Sequence, residues 1–350
     1  RASYEWREDG GRALEGKATA QLRFPIDLSV DVGYNYQNRP EYTRNIISTS
    51  YGYNGNYRNK LFYQVYPLQL NIVRLFDLDE AFYKTLANDP FLRNAYQDHF
   101  DLGSGLMLYY TTNAESIPKS SFFFTRFQFD IAGNVLSAFN SFMRTDANGS
   151  RMIWETPYSQ FVRGEITFGR TWIFGRRDGQ ALATRILAGA GYAYGNSTGL
   201  PFEKHFYAGG SNSLRGWQAR TVGPGTSPRD TSFVIPNQTG DMKLEANIEY
   251  RFDIAWKFAG AVFVDAGNIW MLEHKGVKEM ESSIFRWKNL GDSIAANWGL
   301  GMRLDFGIIL LRIDMGMKFH DPALENKWIG PDGWLKRDNY AIHFGVGYPF

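Results

Sequence analysis

The thirteen residues Asp241-Met-Lys-Leu-Glu-Ala-Asn-Ile-Glu-Tyr-Arg-Phe-Asp253 alternate without a break. Met242, Leu244, Ala246, Ile248, Tyr250 and Phe252 are apolar, and every residue between them is polar or charged. A period of two puts the apolar set on one face of a β-strand and the polar set on the other. The run is about twice the usual length of a strand in a soluble protein. Its polar face carries Lys243, Glu245, Glu249 and Arg251. A soluble barrel turns its apolar face inward; here the charges suit a wet lumen and the apolar face suits lipid. Strands of this length also match a tilted crossing of the hydrocarbon core, which takes about 9–11 residues.

The same pattern recurs outward from this stretch. Leu14, Ala18, Ala20, Leu22 and Phe24 share one face, with Glu15, Lys17, Thr19, Gln21 and Arg23 on the other. Near the end of the chain Tyr340, Ile342, Phe344, Val346, Tyr348 and Phe350 form another apolar face. About fourteen strands are expected, over 2–8, 13–24, 28–37, 43–54, 58–71, 98–112, 120–133, 158–174, 181–195, 241–253, 256–266, 294–306, 308–318 and 339–350. The fold class is all-β, a transmembrane antiparallel barrel over 1–350, because closure removes strand edges that lipid cannot solvate. Every odd connection is longer than its neighbours, the long ones running to roughly 20–45 residues, as in outer-membrane barrels with tight periplasmic turns and long outer loops. Gly175-Arg-Arg-Asp-Gly179 reads as one tight turn. Val135, Leu136, Phe139, Phe142 and Met143, and parts of Asp79 to Tyr96, have helical spacing and are expected to form short helices packed over the barrel mouth.

Composition excludes other classes. Lys plus Arg is 38 against 36 Asp plus Glu, a net charge of +2, so there is no basic surface for nucleic acid. Zero cysteines remove disulfides, thiolate nucleophiles and Cys-based metal sites. The richest apolar run, Phe258 to Val264, is far short of a membrane-spanning helix. There is no phosphate-cradling glycine loop, no His-x-x-x-His and no EF-hand pattern, so no cofactor is implied. Asp77-Leu-Asp-Glu80 reads as a solvated loop rather than a calcium site. His99, His205, His274, His320 and His343 fall in no spacing that marks a catalytic triad.

The longest connection, 196–240, contains Phe206-Tyr-Ala-Gly-Gly-Ser-Asn-Ser-Leu-Arg-Gly-Trp217. Its Gly209-Gly210 pair and Arg215-Gly216-Trp217 resemble the loop-six motif of the BamA/TamA superfamily of outer-membrane assembly factors. Phe263-Val-Asp-Ala-Gly267 resembles that family's Phe-x-Asp-x-Gly strand motif, and five strands follow the loop, as in the family. The resemblance implies a sixteen-stranded barrel whose loop folds back into the lumen, its Arg meeting carboxylates on the inner wall. Carried over by motif, these are Arg215 with Asp265 and with Glu249 in Ile248-Glu-Tyr-Arg251. The alternation independently puts Glu249 on the lumen side. Arginine suits the role because its planar fork binds carboxylates bidentately and stays charged. Gly216 would allow close backbone approach, and Trp217 would wedge the tip.

His343-Phe-Gly-Val-Gly-Tyr-Pro-Phe350 resembles a barrel-targeting signal, with His343, Gly345, Tyr348 and Phe350 as its positions. The family's last strand pairs loosely with its first at a lateral gate, and Gly345, Gly347 and Pro349 would weaken pairing there. The sequence departs from the family in having nine strands before the loop where eleven are expected, and no periplasmic POTRA domains. The expectation is therefore the C-terminal part of a longer protein. Thr221-Val-Gly-Pro-Gly225 is closer to the TamA-like branch.

The resemblance implies a non-enzymatic insertase of the Gram-negative outer membrane, acting on client outer-membrane proteins with periplasmic or lipoprotein partners. The alternatives are a polypeptide secretion pore of the same superfamily and a passive porin-like barrel, which would not need the Arg215 motif.

Overall fold

Fourteen strands form one antiparallel sheet whose hydrogen-bonded order is the order of the chain. A computed structural model describes every residue except 1, 10–12, 24–27, 81, 82, 85–96, 116, 117, 119, 148, 176–178, 229–237, 274–280 and 308, and for 2–23 the backbone alone. The strands are β1 (Ala2–Asp9), β2 (Ala13–Arg23), β3 (Leu28–Asn38), β4 (Thr43–Tyr57), β5 (Leu61–Phe76), β6 (His99–Thr111) and β7 (Phe122–Ala132). They continue with β8 (Phe161–Phe174), β9 (Gln180–Ala193), β10 (Met242–Ala255), β11 (Phe258–Trp270), β12 (Ala295–Asp305), β13 (Leu310–His320) and β14 (Tyr340–Val346). Among the described residues β1 and β14 are the two ends of the order, with no ladder between them. No described helix is long and apolar enough to cross a membrane.

The sheet is inside out relative to a soluble barrel. On β10, Glu245, Asn247, Glu249 and Arg251 are buried while Ile248 is 53% exposed. The same inversion holds on β12 to β14: Arg303, Arg312, Asp314 and His343 are buried, and Leu300, Ile313, Ile342 and Phe344 are exposed. The outer face therefore needs an apolar solvent, and the inner face needs partners for its charges. Those partners come from the long connection 194–241, whose residues touch wall strands from β4 (Arg44 with Glu203) to β14 (His343 with Arg215). One loop touching strands as far apart in the order as β4 and β14 requires the sheet to curl around it.

Connections alternate as the sequence predicts. Trp256 and Lys257 alone join β10 to β11, and Arg58 to Lys60 join β4 to β5, whereas the longer connections after β5, β7, β11 and β13 leave from the opposite rim, as the long loop after β9 does. Pro67 sits inside β5 despite lacking an N–H. The ladder to β6 shifts register between Tyr66 and Gln69 at that point, a bulge that excuses the missing donor.

Two expectations need correction, and others fall outside the described residues. The last strand stops at Val346 rather than running to 350, because Gly347 turns at φ 80°. The Val135–Met143 stretch forms only single turns, Asn134–Ser137 and Asn140–Phe142; Val135, Phe139 and Phe142 are exposed rather than packed over the mouth. Four residues are too few for a helix to hold an apolar face against a neighbour. Most of 79–96, residues 176–178 of the tight turn, the side chains of 14–24 and His274 lie outside the described residues.

Candidate functional site: a loop held against the barrel wall

The motif loop is closed by its own backbone. Gly210 N–H donates to Trp217 O at 2.9 Å, Ser213 N–H to Gly210 O at 3.1 Å, and Trp217 N–H to Leu214 O at 3.1 Å. Gly209 and Gly210 have φ of 93° and 97°, a region that side chains other than glycine enter only at a cost. Trp217 is buried with Phe206, Leu214, Val222 and Ile269 in an apolar cluster, which anchors the turn to β11.

This fold of the loop aims Arg215 at the wall, where it is fully buried. Its Nη2 donates to Asp265 Oδ1 at 2.9 Å and its Nε to Asp265 Oδ2 at 3.0 Å, a bidentate fork. Its backbone N–H also reaches Asp265 Oδ2 at 3.1 Å, and Nη1 pairs with Glu249. The guanidinium carbon lies 3.4 Å from the centre of the Phe263 ring. Phe263, Asp265 and Gly267 are two residues apart, so β11 presents them on one face: a ring beneath the cation, a carboxylate beside it, and no side chain above. Asp265 is flanked across the sheet by Asn247 of β10 and Asn297 of β12, whose amides donate to it at 2.9 and 3.0 Å. Its charge is thus met on every side.

The wall contributes more than the motif does. Glu249 also binds Arg251 at 2.7 Å and Arg303 at 3.2 Å. Asp314 of β13 takes Arg303 at 2.5 Å and Arg312, and stands 3.9 Å from Arg215. Four guanidiniums therefore share three carboxylates in a buried network. Arg312 and Arg185 clamp the loop tip, donating to Ser211 O at 2.9 Å and to Asn212 O at 2.7 Å. Glu245 accepts from Ser213 at 2.5 Å. Arg303, Arg312 and Asp314 were not singled out in the sequence, although alternation in Met302-Arg-Leu304 and Leu311-Arg-Ile-Asp314 marks each as lumen-facing.

The wall backbone is as specific as its charges. A Cβ on Gly316 would lie 2.3 Å from the carbonyl oxygen of Arg215. The same Cβ would lie 2.6 Å from the Gly216 nitrogen, and Gly216 itself is pressed against the side chains of Asn297 and Lys318. Loop and wall backbones therefore touch, which excludes water from the ion pairs and strengthens them.

The C-terminal residues divide. His343 faces inward, its Nε2 3.2 Å from Arg215 O. Gly345 is also on the inner face, against the Arg312 guanidinium. Tyr348 and Phe350 do not continue the lipid-facing row. Past Gly347 their rings meet Arg251, with its guanidinium 4.1 Å from the Tyr348 ring centre and 5.8 Å from that of Phe350; Arg185 lies 4.9 Å from Phe350.

The first part of the loop is held on the opposite wall. Glu203 pairs with Arg44 of β4 and with His99 of β6 at 3.2 Å, and Arg163 of β8 donates to Lys204 O at 3.0 Å. Partial burial opposes ionisation of Glu203, but the Arg44 guanidinium and the His99 contact outweigh it and hold the carboxyl at about 2. The other described histidines face carboxylates or carbonyls, His205 at 3.4 Å from Asp241 and His320 at 2.6 Å from Ile294 O. In the acidic stretch Glu80 pairs with Lys84 at 2.7 Å, and among the described residues no cluster of three metal-ligating side chains forms.

Comparison with known proteins agrees with this architecture. The outer membrane protein assembly factor BamA of Neisseria meningitidis serogroup B is 27% identical over 119 residues, 33% of this chain and 15% of that protein. A crystal structure of BamA from Haemophilus ducreyi lacking POTRA domains 1–3 superposes with a TM-score of 0.59 at 14% identity, covering 96% of this chain and 62% of that one. CdiB from Acinetobacter baumannii gives 0.51 at 14% identity, covering 95% and 50%. The chain thus spans only part of each of these proteins. The Omp85 superfamily domain model matches residues 15–350. The chain belongs to the Omp85 superfamily and is a β-barrel of the Gram-negative outer membrane.

Proposed function

We propose that this barrel is the membrane part of a non-enzymatic insertase that helps outer-membrane proteins fold into lipid through a seam beside β14. The observation that carries this reading is the state of that strand. β14 has seven residues, pairs with β13 alone among the described residues, and rests its inner face on the loop through His343. An unpaired strand edge at the level of lipid is costly, and an incoming strand can satisfy it by adding to the sheet. Ile342, Phe344 and Val346 are exposed on its outer face, where a client strand would arrive from the bilayer. The loop held across the lumen supports an activity at the wall rather than through an open pore. Nothing in this scheme calls for a nucleotide or a reactive side chain. Clients, periplasmic or lipoprotein partners, and the TamA-like reading of 221–225 belong to the same proposal.

The test is a photo-crosslinking amino acid at Ile342 in cells making the full-length protein. Adducts with unassembled outer-membrane proteins are expected. Adducts confined to lumen-facing positions, or to soluble secreted chains, would move the assignment to a secretion pore. Steady ion conductance without adducts would mean a passive barrel.

A further inference from the structure

Strands β3 to β6 lie away from the Arg215 network, and their outer faces carry a cleft that the loop does not use. The connection 133–160 contains a small hairpin, Arg151–Ile153 paired with Thr156–Pro157. Its two turn residues are Trp154 and Glu155, at φ 48° and 66°. Positive φ at both central residues is the geometry of a two-residue hairpin turn, and it fixes where the indole projects. The connection is stitched to the outer wall at β6, where Ser159 N–H donates to Phe100 O at 2.9 Å. The Trp154 ring stands edge-on to Phe100 with centroids 5.9 Å apart, yet Trp154 remains 75% exposed. The indole therefore overhangs the barrel wall instead of packing into it.

Beneath it is a cleft of about 350 Å³ lined by Tyr34, Asn45, Ile47, Arg74, Phe100 and Trp154, among others. That is within the size range of ligand-binding clefts. Ile47 is 50% exposed and forms an apolar floor with Phe100. The Tyr34 hydroxyl donates to Asn45 Oδ1 at 3.1 Å, which leaves the Asn45 amide hydrogens free to donate. Arg74 is exposed on this lipid-facing wall, and among the described residues no carboxylate pairs with it. Arginine does not deprotonate, so at this position it calls for an anion, and its fork suits phosphate. Arg74 lies near the long-connection end of β5, where the wall meets headgroups rather than acyl chains. Tyr34 and Trp154 are the amphipathic rings found at that level.

We propose that this cleft binds a phosphate-bearing, acylated lipid of the outer leaflet. The phosphate would sit on Arg74 and the Asn45 amide, and an acyl chain would run over Ile47 and Phe100 beneath Trp154.

Native mass spectrometry of the full-length protein tests this. The detergent-purified protein is equilibrated with lipid A, with dephosphorylated lipid A, or with phosphatidylglycerol. One lipid A adduct is expected to survive, with about tenfold less retention of the dephosphorylated form and a similar loss for R74Q. W154A, at an exposed position, is expected to shorten retention without altering folding. K257Q, which removes a cation beside Trp256 on the opposite rim, serves as control and should retain lipid A normally. Equal retention by wild type and R74Q, or of the phosphorylated and dephosphorylated lipids, would overturn the proposal. Equal retention of phosphatidylglycerol would overturn the choice of outer-leaflet lipid. A dimer mass without lipid would assign the cleft to a second copy of the chain and overturn it as well.

Discussion

His343 Nε2 lies 3.2 Å from the backbone carbonyl oxygen of Arg215, across 128 positions of sequence. One residue belongs to the last strand and the other to the inward-folded loop. The contact makes them parts of one device: the loop that carries the buried cation also supports the inner face of the strand at the end of the sheet. Any change that displaces Arg215 therefore reaches β14.

Arg215→Ala leaves Asp265 and part of Glu249 buried without their shared counter-charge. Removing one partner of a buried pair costs about 3–5 kcal/mol. Urea unfolding in micelles is expected to show a loss of that order. Arg215→Lys should recover only part of it, because an ammonium cannot bond both Asp265 oxygens in the same plane. A wild-type midpoint for Arg215→Ala would remove the network from the account of stability.

Arg215→Ala combined with Asp265→Ala should cost less than the sum of the two single changes. Each single change strands the other member of the pair, whereas the double change removes both, so a coupling of about 0.5–3 kcal/mol is expected from the double-mutant cycle. Additive effects would mean that the two side chains do not interact in the membrane.

His343→Ala removes one hydrogen bond, about 1 kcal/mol, from the support of β14. Amide exchange at Ala341 to Gly345 is expected to speed up about fivefold while the β10–β11 hairpin is unaffected. Uniform acceleration across both regions would point to global loosening instead.

Gly316→Val would place side-chain carbon in the space occupied by the Arg215 carbonyl, since even a Cβ would lie 2.3 Å from its oxygen. Overpacking of this kind costs about 1–3 kcal/mol. The expected signature is greater cleavage of the loop by externally added protease, with the barrel still folded on gels. An uncut loop would show that the wall can yield at β13.

The Glu203 anchor has a defined pH range. Its carboxyl is held at about 2, below the ordinary value of 4.5, so its contribution is complete above pH 4.5 and is lost as the pH falls toward 2. Conductance of the barrel in planar bilayers is expected to rise over that range as the loop loosens on the β4–β6 side. Glu203→Gln should conduct more at pH 7 and respond less to acid; an unchanged acid response would assign the effect to other carboxylates.

The fold was legible because its cause is local. The choice between lumen and lipid repeats every second residue, so the sequence located all fourteen strands, with ends displaced by up to five residues, as at Phe76 of β5. The Arg215, Asp265 and Glu249 contacts could be anticipated from the resemblance and from the lumen-facing register of Glu249. Other parts depended on where distant strands come to lie. The alternation of Tyr340 to Phe350 could not register that Gly347 turns the chain, carrying Tyr348 and Phe350 from the outer row to the arginines within. Nor could it pair Asp314 with Arg303, since that requires the register of β12 on β13. The approach of the Arg215 carbonyl to Gly316, the hold of Arg44 and His99 on Glu203, and the overhang of Trp154 beside Arg74 are likewise tertiary. Side-chain period follows from backbone geometry within one strand. Which charges meet, and which backbones touch, is decided only when the sheet closes around the loop.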